Sequence, residues 1–174
     1  MTERLKYVVF KTKWGYFGLL GTEKALFRAW LPAKDAASAK ICLLQKINNA
    51  RYDKNFAQDL RKKINAYFNG NYVDFTDVKV DLRGYSDFGR KVLAACRKIG
   101  PGRKKSYCAL AKSVKKPNAA RAVGNILARN PLALIIPCHR VIRSDGKIGG
   151  FSAQGGIELK RKMLDFERKM LLPG

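Results

Sequence analysis

Apolar positions follow a period of two along the first thirty residues. Val8 and Phe10 lead to a turn near Trp14-Gly15, residues 16–20 run to Gly21-Thr22-Glu23, and residues 25–31 follow. Aromatic and aliphatic side chains crowd these runs, as in a half-buried antiparallel sheet that Pro32 ends. The period then changes. Ala36, Ala39, Leu43 and Ile47 predict a helix over 35–47. Phe56, Leu60, Ile64, Tyr67 and Phe68 share one face of a second helix over 55–69, with Gly70 as its stop. Residues 73–82 read as extended, and Leu82-Arg83-Gly84-Tyr85 reads as a linker. This half carries no motif with chemistry in it, so a scaffold role is expected.

Beyond the linker, Ser86 is placed to cap a helix whose apolar face is Phe88, Val92, Leu93, Cys96 and Ile99, stopped by Gly100-Pro101-Gly102. A basic loop, Arg103-Lys104-Lys105, follows. Ser106 caps a short helix with Leu110, Ala111 and Val114. After the turn at Lys115-Lys116-Pro117, Asn118 is expected to cap a helix over 119–128, with Ala122, Val123, Ile126 and Leu127 inward. This is a helix-turn-helix pattern. Ala119, Ala120 and Gly124 leave part of its second helix nearly bare, with Arg121 projecting from the first turn. A bare helix with one arginine suits close approach to a DNA minor groove, ~6 Å wide against ~10–12 Å for a dressed helix. It equally suits close helix packing through alanines. Residues 134–142 are an apolar run interrupted by Pro137-Cys138-His139-Arg140, and Asp145-Gly146 marks a hairpin-like turn. Glycine-rich loops at 149–150 and 155–156 precede a final helix over 157–170, which carries Leu159, Met163, Phe166 and Met170.

Charge narrows the classes of partner. Lys and Arg number 36 against 13 Asp and Glu, a net charge of +23. Up to Tyr85 there are 16 basic and 8 acidic residues, and beyond it 20 and 5, so the excess lies mostly with the Cys-His stretch. An excess of this size marks a polyanion partner, nucleic acid or membrane surface. Cys42, Cys96, Cys108 and Cys138 form no paired or metal-ligand spacing, and read as free thiols in a reducing compartment. The apolar run at residues 7–10 is too short for a signal sequence or a membrane span.

His139 is the sole histidine of the chain and adjoins Cys138. A thiol is nucleophilic as thiolate and needs a base or a positive field beside it, which this pair supplies. The apolar residues around the trio place it inside the fold, where polar groups need partners. A buried structural cysteine followed by a satisfied histidine has the same local pattern.

The second half resembles the DNA alkyltransferases that repair O6-alkylguanine. The resemblance is carried by Ser106-Tyr107 with Leu110-Ala111, by Ala119-Ala120-Arg121-Ala122-Val123-Gly124, by Asn130-Pro131, and by Ile136-Pro137-Cys138-His139-Arg140-Val141. Gly146, Gly149, Ser152, Lys160, Leu164 and Glu167 complete it. The first half matches only in length and strand-then-helix order. The resemblance implies an α/β (α+β) chain: a ribonuclease-H-like α/β scaffold domain at residues 1–82, and a winged-helix-like helix-turn-helix domain at 86–174 carrying the active cysteine.

It also implies a mechanism and its residues. O6 of a guanine is hidden in a duplex, so the nucleotide would be flipped out. Arg121 would fill the gap, on a helix lying in the minor groove, with Ser106, Ala120, Gly124 and Arg140 among the DNA-contacting residues. Cys138 as thiolate would attack the alkyl carbon, His139 would take the thiol proton through a water, and Glu167 would orient His139. The Tyr107 hydroxyl would protonate the leaving guanine. The Ser152 backbone N–H would bond O6, the carbonyls of Cys138 and Val141 would accept the exocyclic amine, and Asn130 would brace the turn before the nucleophile. A cysteine thioether is not regenerated, so each molecule would act once. Phe151 stands where the family commonly has tyrosine, and the loop over 151–160 is about two residues longer than usual, which alters the lip of the pocket. With one cysteine and no histidine in the first half, no zinc is expected, and no cofactor. The implied partner is double-stranded DNA containing O6-alkylguanine, met by a monomer without a membrane, in the cytoplasm of a prokaryote or the nucleus of a eukaryote. The alternative reading is a non-catalytic helix-turn-helix protein that binds DNA or lesions.

Overall fold

Alternating apolar positions between Lys6 and Ala33 pair as three antiparallel strands in the computed structural model, which describes residues 4–172. They are β1 (Lys6–Thr12), β2 (Gly15–Gly21) and β3 (Leu26–Ala33). The β1–β2 register runs from Lys6 opposite Gly21 to Thr12 opposite Gly15. A short β4 (Arg51–Tyr52) adds to β1 in parallel, giving the order β3-β2-β1-β4. Pro32 does not end the sheet. It lies within β3, an edge strand, where a residue without an N–H leaves no ladder position unfilled.

Helices cover both sheet faces. Helix α1 (Ala36–Leu43) buries Leu43 against Tyr7 and Leu20. It is shorter than the spacing through Ile47 predicts: its last turn closes at Leu44, and Lys46 takes a left-handed φ of 63°. Helix α2 (Gln58–Phe68) sets Phe68 6.0 Å from the Phe17 ring on the other face. The stretch expected to be extended is irregular, joined to β3 through a single bridge between Leu26 and Val80.

Helix α3 (Asp87–Arg97) begins at Ser86, whose hydroxyl accepts from Gly89 N at 3.1 Å. Then come β5 (Lys105–Ser106), α4 (Tyr107–Ser113), α5 (Ala120–Ala128), a single 3-10 turn at Cys138–Arg140, β6 (Val141–Ile142) and α6 (Gly156–Met170). Ser106 caps α4 by accepting from Ala109 N at 3.0 Å. Asn118 does not cap α5. The cap is Ala119 with no side-chain bond, and Ala122 is exposed instead of inward.

The chain forms two compact units. The first takes residues up to Val73 with Asp77–Asp81 and Pro131–Ala133, and the second takes Asp74–Thr76, Leu82–Asn130 and the residues from Leu134 onward. Within the first unit, Ala29 N donates to Pro131 O at 2.8 Å. Within the second, β5 and β6 run parallel, with Lys105 opposite Val141 and Ser106 opposite Ile142. That pairing sets the start of α4 beside the residues that follow the Cys-His turn.

Candidate active site

The Cys-His turn is short because proline sets its entry. Pro137 precedes it with φ −81°, and Cys138 N and Arg140 N donate back to Ile136 O and Pro137 O at 2.8 and 2.9 Å. All residues from Leu134 to Val141 are buried. Leu134 itself has a left-handed φ of 74° while fully buried, a conformation costing about 1–3 kcal/mol that only enforced packing retains.

Cys138 is held from the side by Asn130. The Asn130 amide donates to Ile136 O at 2.7 Å and to Cys138 Sγ at 3.2 Å. Burial pushes the Cys138 thiol above its ordinary pKa, against the opposing pull of the Asn130 bond and the Lys160 charge. The resting group is therefore a thiol, and its thiolate must be made on demand.

A base stands next to it. Burial lowers the His139 pKa and outweighs the Glu167 carboxylate, so the imidazole is neutral. Its Nε2 lies 2.7 Å from Glu167 Oε1. A carboxylate only accepts, so the proton sits on Nε2 and Nδ1 carries the lone pair. Nδ1 is buried and has no hydrogen-bond partner among the described residues.

Glu167 is completely buried yet charged. Burial alone would raise its pKa, but His139 and Arg140 outweigh it and hold the carboxyl well below the usual range. Arg140 Nε donates to both carboxylate oxygens at 3.2 and 3.0 Å, and Nη2 donates to Oε1 at 2.8 Å. Gly102 N adds a bond to Oε2 at 3.2 Å. The φ of +72° at Gly102 is a left-handed conformation that favours glycine there. Arg140 is the clearest correction to the sequence reading. It is 4% exposed, and its Nη1 donates to Ile99 O, so its guanidinium is spent inside the protein and does not meet DNA.

Tyr107, Cys138, Arg143, Phe151 and Ser152 share a cavity of about 510 Å³ with Gly124, Leu127, Ala128, Gly149 and Gly150. Gly124 thus faces the cavity, near the Tyr107 ring. Gly149, at φ +77°, lets the same ring approach: a Cβ there would sit 3.3 Å from it. The Ser152 hydroxyl donates to Ala128 O at 2.6 Å, tying the loop to the end of α5. Val141 does not line the cavity, and its carbonyl, expected to meet a substrate amine, already accepts from Lys160 at 2.6 Å. Arg121 and Ala120 stand in the first turn of α5, exposed and half-buried, away from the cavity lining. Ser106 uses its hydroxyl for the α4 cap.

Lys160 entered the sequence comparison only among the residues that carry the resemblance, with no role in the site. It is fully buried on the α6 face with Met163 and Glu167, where the sequence reading placed Leu159, Met163, Phe166 and Met170. The spacing of Lys160, Met163 and Glu167 was the available signal, masked by the basic residues around it. Among the described residues no group of three or more His, Cys, Asp or Glu is placed to hold a metal, and no helix is long and apolar enough to cross a membrane.

Comparison with known proteins follows these two halves. Residues 5–82 match the family model described as 6-O-methylguanine DNA methyltransferase, ribonuclease-like domain, and residues 87–169 match its DNA binding domain. The methylated-DNA–protein-cysteine methyltransferase of Methanosarcina mazei is 36% identical over 153 residues, covering 88% of this chain and 90% of that protein. Its namesake in Mycobacterium tuberculosis is 45% identical over 106 residues, so the match spans 61% of this chain and 62% of the relative's length. The crystal structure of Mycobacterium tuberculosis OGT in complex with DNA superposes with a TM-score of 0.79 at 32% identity, over 95% of this chain and 94% of that one.

Proposed function

Since the chain belongs to the 6-O-methylguanine DNA methyltransferase family, we propose that it repairs DNA by moving the alkyl group of an O6-alkylguanine onto its own Cys138. The observation that carries this reading is the cavity lined by both Cys138 and Tyr107, with a neutral imidazole next to Cys138 in the chain and bonded to a buried carboxylate.

The displacement balances with these groups. The Cys138 thiol proton passes to His139 Nδ1 through a water, and the imidazolium is stabilised by Glu167 at Nε2. Sulfur attacks the alkyl carbon, the carbon–O6 bond breaks, and its electron pair stays with guanine. Tyr107 supplies the proton that lets guanine leave as a neutral base. The Asn130 N–H donated to sulfur stabilises the thiolate as it forms. A thioether sulfur is a poor leaving group at neutral pH, so each molecule reacts once.

The substrate base reaches the cavity only when flipped out of the duplex, at a cost of a few kcal/mol that binding must offset. Arg121, exposed in the first turn of α5, is the side chain that fills the gap. The basic excess of the second half supplies phosphate contacts without sequence preference. Because Cys138 must be reduced to act, the working compartment is a reducing, intracellular one.

The test is incubation with free O6-benzylguanine followed by intact mass and mapping of the modified peptide. A single benzyl adduct on Cys138, absent in Cys138→Ser, is the expected result. Failure to form it, with lesion-containing duplex still bound, would establish the non-catalytic alternative.

A further inference from the structure

Lys160 is completely buried, and the chemistry above leaves it unused. Its ammonium meets three oxygens: Val141 O at 2.6 Å, Gly150 O at 3.2 Å and the Tyr107 hydroxyl at 3.4 Å. It has no carboxylate partner among the described residues. A buried cation without a counter-ion is costly to hold, and packing alone does not call for one.

An ammonium has three N–H donors and no acceptor, so each of the three oxygens receives one. Two of them fasten Gly150, on the cavity wall, to Val141 of β6. The third has a directional consequence. The Tyr107 oxygen accepts from Lys160, so the Tyr107 proton cannot point at Lys160 and must turn away from it. Tyr107 lines the cavity, with its ring against Gly149 on one side and Gly124 on the other.

We propose that Lys160 is a positioning residue for alkyl transfer: its N–H bond to the Tyr107 oxygen aims the tyrosine O–H into the cavity, at the guanine that departs. This assignment rests on the alkyl-transfer reading above and names what orients its proton donor. As the carbon–O6 bond breaks, the Tyr107 proton moves to the purine. The tyrosinate left behind is held by the same Lys160 N–H, and it is reprotonated through solvent by the proton that His139 took from Cys138.

The arrangement is sensitive to pH. Burial lowers the Lys160 pKa to about 8, although Cys138 and Cys96 oppose the shift. The titratable groups that face it are Tyr107 from α4, Cys96 from α3, and Cys138 with His139 from the 3-10 turn. Once deprotonated, the amine accepts a hydrogen bond. The Tyr107 proton then turns toward Lys160 and away from the substrate.

The experiment compares two reactions of Cys138 in the full chain, from pH about 6 to about 10, each followed by mass of the Cys138 peptide. Iodoacetamide needs only the thiolate, while free O6-benzylguanine needs the thiolate and a proton for the leaving base. The ratio of the benzyl rate to the iodoacetamide rate isolates the proton donor. In wild type it should fall as pH rises past about 8. Lys160→Gln keeps N–H donors and does not titrate, so its ratio should stay level across the range. It should also lie within about tenfold of wild type at neutral pH, while Lys160→Met drops by about 10²-fold, the scale of a lost general acid. Lys160→Met combined with Tyr107→Phe should cost no more than Tyr107→Phe alone. A wild-type ratio that stays level through pH 8, an equal fall in Lys160→Gln, or losses that multiply in the double variant would overturn the assignment while leaving alkyl transfer standing. No benzyl transfer by wild type, with iodoacetamide still labelling Cys138, would overturn the alkyl-transfer reading and this assignment together.

Discussion

Replacing Arg140 by methionine separates two roles that its neighbours in sequence do not distinguish. Methionine fills much of the same volume but removes every N–H. Glu167 then loses the three guanidinium bonds and keeps His139 Nε2 and Gly102 N, while Ile99 O loses the Nη1 donor. Removing one partner of a buried ion pair costs about 3–5 kcal/mol, because the remaining charge stays buried. For a chain of this size, 1 kcal/mol moves the melting midpoint by about 2–4 °C, so the expected fall is on the order of 6–20 °C. The assay is thermal melting followed by far-ultraviolet circular dichroism. Tryptophan fluorescence is unsuitable, since Trp14 and Trp30 both lie in the first unit. The pH dependence gives a second readout. In wild type the depressed Glu167 pKa contributes stability above the unfolded carboxylate pKa of about 4.3, and that stability is lost as pH falls toward the folded value. His139, also depressed, acts in the same direction. Below about pH 6.5 the unfolded chain takes up the proton that the folded chain resists, and stability falls. In Arg140→Met the carboxyl pKa rises toward normal, so the Glu167 part of the acid dependence should flatten. An unchanged midpoint, combined with weaker DNA binding and a shallower salt dependence, would refute this argument and return Arg140 to the DNA-contacting role that the resemblance implies.

Two other substitutions test the site from either side. Asn130→Ala removes the N–H on Cys138 Sγ and one of the two donors to Ile136 O, which keeps Cys138 N, so the iodoacetamide rate should drop and stability should fall by about 0.5–1.5 kcal/mol. A full-rate variant would show that the amide braces the backbone without tuning the sulfur. Arg121→Ala should slow repair of a lesion in duplex far more than reaction with free O6-benzylguanine, because only the duplex demands flipping. Equal losses on both substrates, read in parallel single-turnover assays, would give Arg121 a pocket or structural task instead.

Local rules were enough for most of the elements. Alternation set the three long strands, serine caps at Ser86 and Ser106 marked two helix starts, and the small-residue pattern around Arg121 marked α5. Where two local signals competed, tertiary context decided. Pro32 stayed in a strand because that strand is an edge. The helical spacing through Ile47 stopped short at Leu43. Asn118 lost the cap position to Ala119.

The nucleophile and its neighbour were legible for the same reason: Cys138 and His139 are adjacent, and an apolar run around polar residues announces burial. Partners far along the chain were not derivable from pattern. Glu167 meets His139 across 28 residues and Gly102 across 65, and Lys160 meets Tyr107 across 53. Only the resemblance to the alkyltransferases singled out Glu167 and Lys160, it gave a role to Glu167 alone, and nothing in the helical pattern separated Lys160 from the basic residues around it. Arg140 shows the limit most clearly. The resemblance put it among the DNA-contacting residues, yet a buried carboxylate requires compensation, and the fold turned the guanidinium inward to supply it. The one-dimensional pattern determines which segments are apolar and which side chains carry charge. Which buried charge compensates which is a matter of desolvation at distances of about 3 Å, and only the packing of α3, α6 and the Cys-His turn against one another sets those distances.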